Sequence, residues 1–121
     1  MTDTRTIVDR YLAIWNEGDA KRRRALIAAA WTEDATYVDP VMRGAGHEGI
    51  DAMISGAQAQ FPGFEFRALG EPDLHGDRLR FRWTLGPKGA DTIIDGTDFA
   101  VIAADGRLAS VTGFLDRIPQ Q

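Results

Sequence analysis

An α+β fold, in which three N-terminal helices pack on a strongly curved, mostly antiparallel sheet to form a cone-shaped α+β barrel, is predicted by three observations. Apolar residues recur at spacings of three and four in the first half of the chain, interrupted by a single alternating stretch. From Phe64 onward the period changes from helical to two. Glycine, proline, asparagine and aspartate cluster where each periodic stretch stops.

The first helix is expected from Asp3 or Thr4, either of which can cap it, with Ile7, Val8, Tyr11, Leu12, Ile14 and Trp15 on one broad apolar face. Tyr11 therefore points inward. Asn16-Glu17-Gly18 closes this helix, with Gly18 free to turn left-handed, and Asp19 can cap a second helix. That helix runs to about Ala30 and is expected to bury Leu26, Ile27, Ala30 and Trp31. Its Lys21-Arg22-Arg23-Arg24 run fans around most of a turn, which is the pattern of a solvated segment and not of an anion-binding stripe.

Glu33 to Met42 alternates, sending Tyr37 and Asp39 to the same strand face. Pro40 has no N–H and biases Asp39 towards extended backbone, so the carboxylate lies at a strand end. A glycine-bearing loop, Arg43 to His47, leads to a third helix starting at His47 to Gly49, where Ile50, Met53, Ile54, Ala57 and Phe61 recur until Pro62-Gly63.

Four strands follow. Phe64 to about Leu74 alternates, and His75-Gly76-Asp77 turns the chain. Leu79, Phe81, Trp83 and Leu85 then form an apolar face opposite Arg78, Arg80, Arg82 and Thr84. The next strand, from about Thr92 to Ala103, carries Gly96, a natural place for a bulge or bend. It has Phe99 and Val101 on one face and Asp98, Ala100 and Ile102 on the other, so both faces call for cover. Helices can cover one face, which makes a homodimer through the sheet the expected cover for the second. Asp105-Gly106 turns into a last strand from Arg107 to about Asp116. A bent sheet wrapped around helices leaves a pocket suited to an apolar small-molecule ligand.

The totals narrow the function classes. The 121 residues fit one domain spanning 1–121. With 44% hydrophobic and 26% charged residues and no long apolar run, a membrane protein is not expected. A net charge of −4 argues against nucleic-acid binding. The absence of cysteine excludes disulfides, a thiolate nucleophile and a zinc–thiolate site. Neither His47 nor His75 has a partner at ligand spacing, so no metal site is expected. The N-terminus lacks the basic segment and apolar run of a secretory signal, which predicts a cytoplasmic protein.

The residues Arg10 to Asp19, Glu33 to Val41 and Gly96 to Val101, with this order of elements, resemble the nuclear transport factor 2-like superfamily, in particular its SnoaL-like branch. That superfamily hosts isomerases, dehydratases, polyketide cyclases, hydrolases and non-catalytic binding modules, so the resemblance speaks to fold more than to function. Within it, the site pattern is similar to that of ketosteroid isomerase, in which an aspartate base works with a tyrosine and a protonated aspartic acid that bind an oxyanion. The resemblance implies Asp39 as base, within Asp-Pro-Val, and Tyr11 as the tyrosine, ahead of Asn16, Gly18 and Asp19. It implies Asp98, before Phe99, as the neutral acid. No cofactor is implied. The segment between Asp19 and Glu33 is longer than in that pattern by about one helical turn, and Tyr37 adds a hydroxyl beside the base.

Each residue also has a plain structural reading. Asp39 can be an Asp-Pro turn residue, and Tyr11 an amphipathic core residue. Asp98, on an apolar face, must be hydrogen-bonded, neutral or beside water. Trp15, Tyr37, Phe61, Phe81, Trp83 and Phe114 are the candidates to line a cavity, and Asp116 is an outside candidate for acid or base work. Epoxide hydrolysis would want an aspartate–arginine–aspartate cluster, but Gly96 stands two before Asp98. Two functional readings follow: a cofactor-independent enzyme that removes a proton beside a carbonyl, or a module that only binds a ligand or dimerises.

Overall fold

A computed structural model describes residues 3–119. Helices α1 (Thr4–Asn16) and α2 (Ala20–Ala30) lead into β1 (Trp31–Val38). A short β2 (Arg43–Ala45) follows, then α3 (Gly46–Gln60) and four long strands: β3 (Phe64–His75), β4 (Arg78–Pro87), β5 (Ile94–Ile102) and β6 (Leu108–Arg117). They form one six-stranded sheet in the order β2-β1-β6-β5-β4-β3. Every pairing is antiparallel except β1 with β6, and the curved sheet does not close, since β2 and β3 remain as edges. This is the expected cone of three helices on a curved, mostly antiparallel sheet. No helix among the described residues is long and apolar enough to cross a membrane.

Alternation decides what faces the helices. On β4 the expected residues Leu79, Phe81, Trp83 and Leu85 are buried, and on β5 the inner face is Ile94, Gly96, Asp98 and Ala100. They meet Val8, Tyr11, Leu12 and Trp15 of α1 and Ile50, Ile54 and Ala57 of α3 in one core. Gly96 lies where the β5–β6 register slips, and it faces Trp83 on β4. A Cβ on Gly96 would stand 2.1 Å from the Trp83 ring, so this strand bends under an indole that needs a bare backbone.

The structure departs from the sequence reading at several places. The second helix ends at Ala30 and Trp31 is fully buried, both as expected, but Trp31 already belongs to β1, which starts earlier than the alternation from Glu33. Leu26 is 37% exposed, while Arg23 of the basic run is only 3% exposed. The helix turns its Arg23, Ile27 and Ala30 side inward, which leaves Leu26 on the shoulder. Arg23 is tolerated inside because its guanidinium is paired and hydrogen-bonded: Nε donates to Asp51 at 2.6 Å, and Nη1 donates to the Glu17 carbonyl and to Gln58, both at 3.0 Å. Gln58 in turn donates to the Trp15 and Glu17 carbonyls, so one buried arginine ties α2 to α3 and to the end of α1. Gly18 is not among the left-handed glycines, and α1 ends through the Glu17 N–H on the Ile14 carbonyl. The expected Asp19 cap is present, accepting from the Arg22 N–H at 2.8 Å.

The segment after Pro40, expected as loop, contains β2. Gly44 allows it: a Cβ there would lie 2.8 Å from the Gly49 carbonyl oxygen, so only a glycine strand fits against the start of α3. The fifth strand is shorter than expected at both ends, because 91–93 is irregular before Ile94.

Candidate functional site

Two tyrosine–aspartate pairs face one cavity. Tyr11 on α1 donates its hydroxyl to Asp98 Oδ2 at 2.7 Å, and Trp83 on β4 donates its indole N–H to Asp98 Oδ1 at 3.0 Å. Tyr37, at the end of β1, donates to Asp39 Oδ2 at 2.6 Å. Asp39 follows the last residue of β1, and its position is fixed by backbone. Its own N–H donates to the Met42 carbonyl, while Oδ1 accepts from the Val41 and Met42 N–H groups at 2.8 and 2.9 Å. Pro40 makes that tight turn and ends the ladder, so the sequence local to Asp39 builds the carboxylate's cradle.

The sheet register brings the pairs together. Asp98 pairs with Gly113 across β5 and β6, and parallel pairing of Tyr37 and Val38 with Val111 and Thr112 delivers Asp39 to the same place. At Gly113 an added Cβ would lie 3.0 Å from Asp98 Oδ1, 3.0 Å from the Tyr37 hydroxyl and 3.1 Å from Asp39 Cβ. The Asp98 and Tyr37 oxygens are therefore no more than twice 3.0 Å apart. Gly113 was not singled out from the sequence, although the alternation Val111, Gly113, Leu115 already puts a bare position on the inner face.

The cavity measures about 200 Å³, somewhat more than the ~150 Å³ that suffices to hold benzene. Tyr11, Tyr37, Asp39 and Asp98 all line it. So do the expected aromatics Trp15, Phe61 and Trp83, together with Phe66 of β3. Two expected lining residues are elsewhere. Phe81 is buried edge-on against Tyr11, 5.1 Å between ring centroids, and does not reach the cavity. Phe114 is 55% exposed on the outer face, since it alternates out of phase with Gly113 and Leu115. Asp116 also lies away from the cavity and accepts from the Thr97 hydroxyl at 2.6 Å. His47 Nε2 lies 2.9 Å from the Trp31 carbonyl, and His75 is exposed at the end of β3, near Asp73. Among the described residues, no three histidine, cysteine, aspartate or glutamate side chains group to hold a metal.

Burial sets the electrostatics. Asp98 is 1% exposed, and desolvation pushes its carboxyl up to about 6 despite the opposing hydrogen bonds from Trp83 and Tyr11; Asp39 adds to the rise. Desolvation, with the charge of Asp98, also holds both phenols, Tyr11 and Tyr37, well above the ordinary tyrosine range. Two indole N–H groups, those of Trp15 and Trp31, are buried without a hydrogen-bond partner among the described residues. The assembly is thus an apolar cavity with one carboxylate anchored in a turn, one carboxyl poised between neutral and charged, and two phenols bridging to them.

Residues 8–111 match a family model described as the SnoaL-like domain. Among solved structures, the chain is similar to a SnoaL-like family protein from Agrobacterium tumefaciens that is provisionally named an isomerase. The two share 47% identity and a TM-score of 0.91, covering 96% of this chain and 99% of that one. More distant likenesses bear on the fold alone. A SnoaL-like protein of unknown function from Burkholderia thailandensis has 15% identity and a TM-score of 0.72, covering 93% and 92%. A Jannaschia protein provisionally named a SnoaL-like polyketide cyclase has 17% identity and a TM-score of 0.69, covering 91% and 85%. No curated protein matches the chain.

Proposed function

The chain belongs to the SnoaL-like family, and from that premise we propose that it binds an apolar carbonyl compound and removes a proton beside the carbonyl without a cofactor, as an isomerase or cyclase does. The observation that carries this reading is the meeting of Tyr11, Tyr37, Asp39 and Asp98 in one cavity whose other walls are apolar except at Gln60. The Agrobacterium protein's provisional name, at 47% identity, points the same way.

Asp39 is the base. Two amide N–H groups hold Oδ1, and Oδ2 keeps a lone pair beyond the one that receives the Tyr37 hydroxyl. The carbon-bound proton passes to Oδ2, the electron pair moves onto the carbonyl oxygen, and return of the proton to another carbon completes an isomerisation. The oxygen needs a donor. Tyr11 directs its proton at Asp98, so the group that reaches the substrate is the protonated Asp98 carboxyl, with Tyr11 and Trp83 holding it in place. This differs from a pattern in which the tyrosine and the acid each touch the oxyanion. A cyclic β,γ-unsaturated ketone such as cyclohex-3-enone tests the scheme: conversion to the conjugated isomer is expected for the native chain, and Asp39→Asn is expected to lower it at least about 100-fold. Equal rates would remove Asp39 from the mechanism.

The second reading, a pocket that binds without chemistry, is favoured by the engagement of both Asp98 oxygens and the Tyr11 proton within the protein. Binding of the ketone with no turnover above buffer would select it. For partners, the outer sheet face exposes Phe99, Phe114 and Ile118, and a second copy of the chain is the proposed cover; a monomer by sedimentation at micromolar concentration would contradict this. The cytoplasm is the proposed compartment.

A further inference from the structure

The walls of the cavity are one-sided in charge. Asp39 and Asp98 both line it, and among the described residues no lysine, arginine or histidine does. Six aromatic rings also line it, Tyr11, Trp15, Tyr37, Phe61, Phe66 and Trp83, and the rest is aliphatic apart from Gln60. The rings do not share one orientation. Trp15 is inclined to Tyr37 by 57° and to Phe66 by 53°, and Phe66 to Trp83 by 65°. Ring faces carry negative potential and attract cations, most strongly when water is excluded. The two carboxyl groups add to that field in a space where little solvent screens it. An anionic ligand would find no cationic side chain among the described lining residues to offset the two carboxyl groups.

We propose that the ligand of this cavity is a small apolar cation, a ring compound carrying a protonated amine, held between the Asp39 and Asp98 carboxyl groups and the surrounding aromatic rings. The inference rests on the cavity being the ligand site, as proposed above, and not on the proton-transfer chemistry.

Three molecules of one shape and different charge separate the possibilities: cyclohexylmethylammonium, cyclohexylmethanol and cyclohexanecarboxylate, titrated at neutral pH and low salt. Trp15 and Trp83 line the cavity, so tryptophan fluorescence reports occupancy. The ammonium is expected to bind about tenfold or more tightly than the alcohol, and the carboxylate more weakly than either. Asp39→Asn should weaken the ammonium by about tenfold and leave the alcohol within about a factor of two. Equal affinity for ammonium and alcohol, tightest binding of the carboxylate, or no saturable binding of the ammonium would each overturn the proposal. The two readings fail separately. A neutral ketone turned over in an Asp39-dependent way, with no preference for the ammonium, would leave the chemistry standing and remove the cation. Ammonium preference without ketone turnover would do the reverse.

Discussion

Replacing Asp98 by asparagine keeps the shape of the side chain but removes its titration, and the consequence for stability can be worked out. The carboxyl rises from an ordinary 3.8 to about 6 in the folded chain, chiefly through burial. Because the folded value is raised, the folded state binds a proton that the unfolded state has already lost. The stabilisation is therefore complete below 3.8 and disappears as pH rises through about 6. At about 1.4 kcal/mol per pH unit, the gap corresponds to roughly 3 kcal/mol. Asparagine can still accept the Trp83 N–H through its carbonyl and offer its amide to the Tyr11 oxygen. Urea unfolding of both proteins, followed by tryptophan fluorescence between about pH 4 and about pH 7.5, reads the difference directly and cancels the other carboxylates. The asparagine variant should gain stability relative to the parent by roughly 2 to 3 kcal/mol as pH rises across that window. A constant difference would mean that burial does not govern Asp98. A difference of opposite slope would mean that the Tyr11 and Trp83 hydrogen bonds hold it ionised.

The remaining predictions test the frame around the site. Turnover should fall as pH rises through about 6, because the protonated Asp98 is the donor in the proposed scheme; a kcat/KM profile that rises over this range would contradict the assignment. Gly113→Ala puts a methyl group 3.0 to 3.1 Å from Asp98, Tyr37 and Asp39, and is expected to cost more than about tenfold in turnover while unfolding shows a loss below about 1.5 kcal/mol. Gly96→Ala meets the Trp83 ring instead, so it should lower stability by about 2 kcal/mol or more and disturb the Trp83–Asp98 hydrogen bond, read as a further rise of the Asp98 titration. Arg23→Ala leaves Asp51 and Gln58 without their buried partner and should cost about 3 kcal/mol in urea unfolding.

The fold was legible because its signals are local and periodic. The β4 alternation from Leu79 to Leu85, the Asp19 cap and the turn glycines specify elements within a few residues of themselves. The site was legible where strand alternation and proline chemistry act, as with Tyr37 and Asp39, and where a polar residue sits on an apolar face, as with Asp98. What escaped the sequence depends on distant pairing. That Tyr11 bonds to Asp98 instead of standing beside it is set by how α1 lies on the sheet. That Trp83 is a partner of Asp98, and not only a wall, follows from its place over Gly96. Arg23 read as solvated because its three acceptors come from Glu17, Asp51 and Gln58, which the fold alone assembles. Phe114 read as a lining candidate by its chemistry, whereas the phase of β6 puts it outside.

In the proposed mechanism Asp39 removes a carbon-bound proton from a ligand held in the cavity. Exchange of the α-protons of a bound cyclic ketone with deuterium oxide, followed by proton magnetic resonance for the native chain and for Asp39→Asn, measures that step without needing the natural substrate. Exchange well above the buffer rate that drops at least about 100-fold in the variant is the predicted result. Exchange equal in the two proteins, while both bind the ketone, would contradict it.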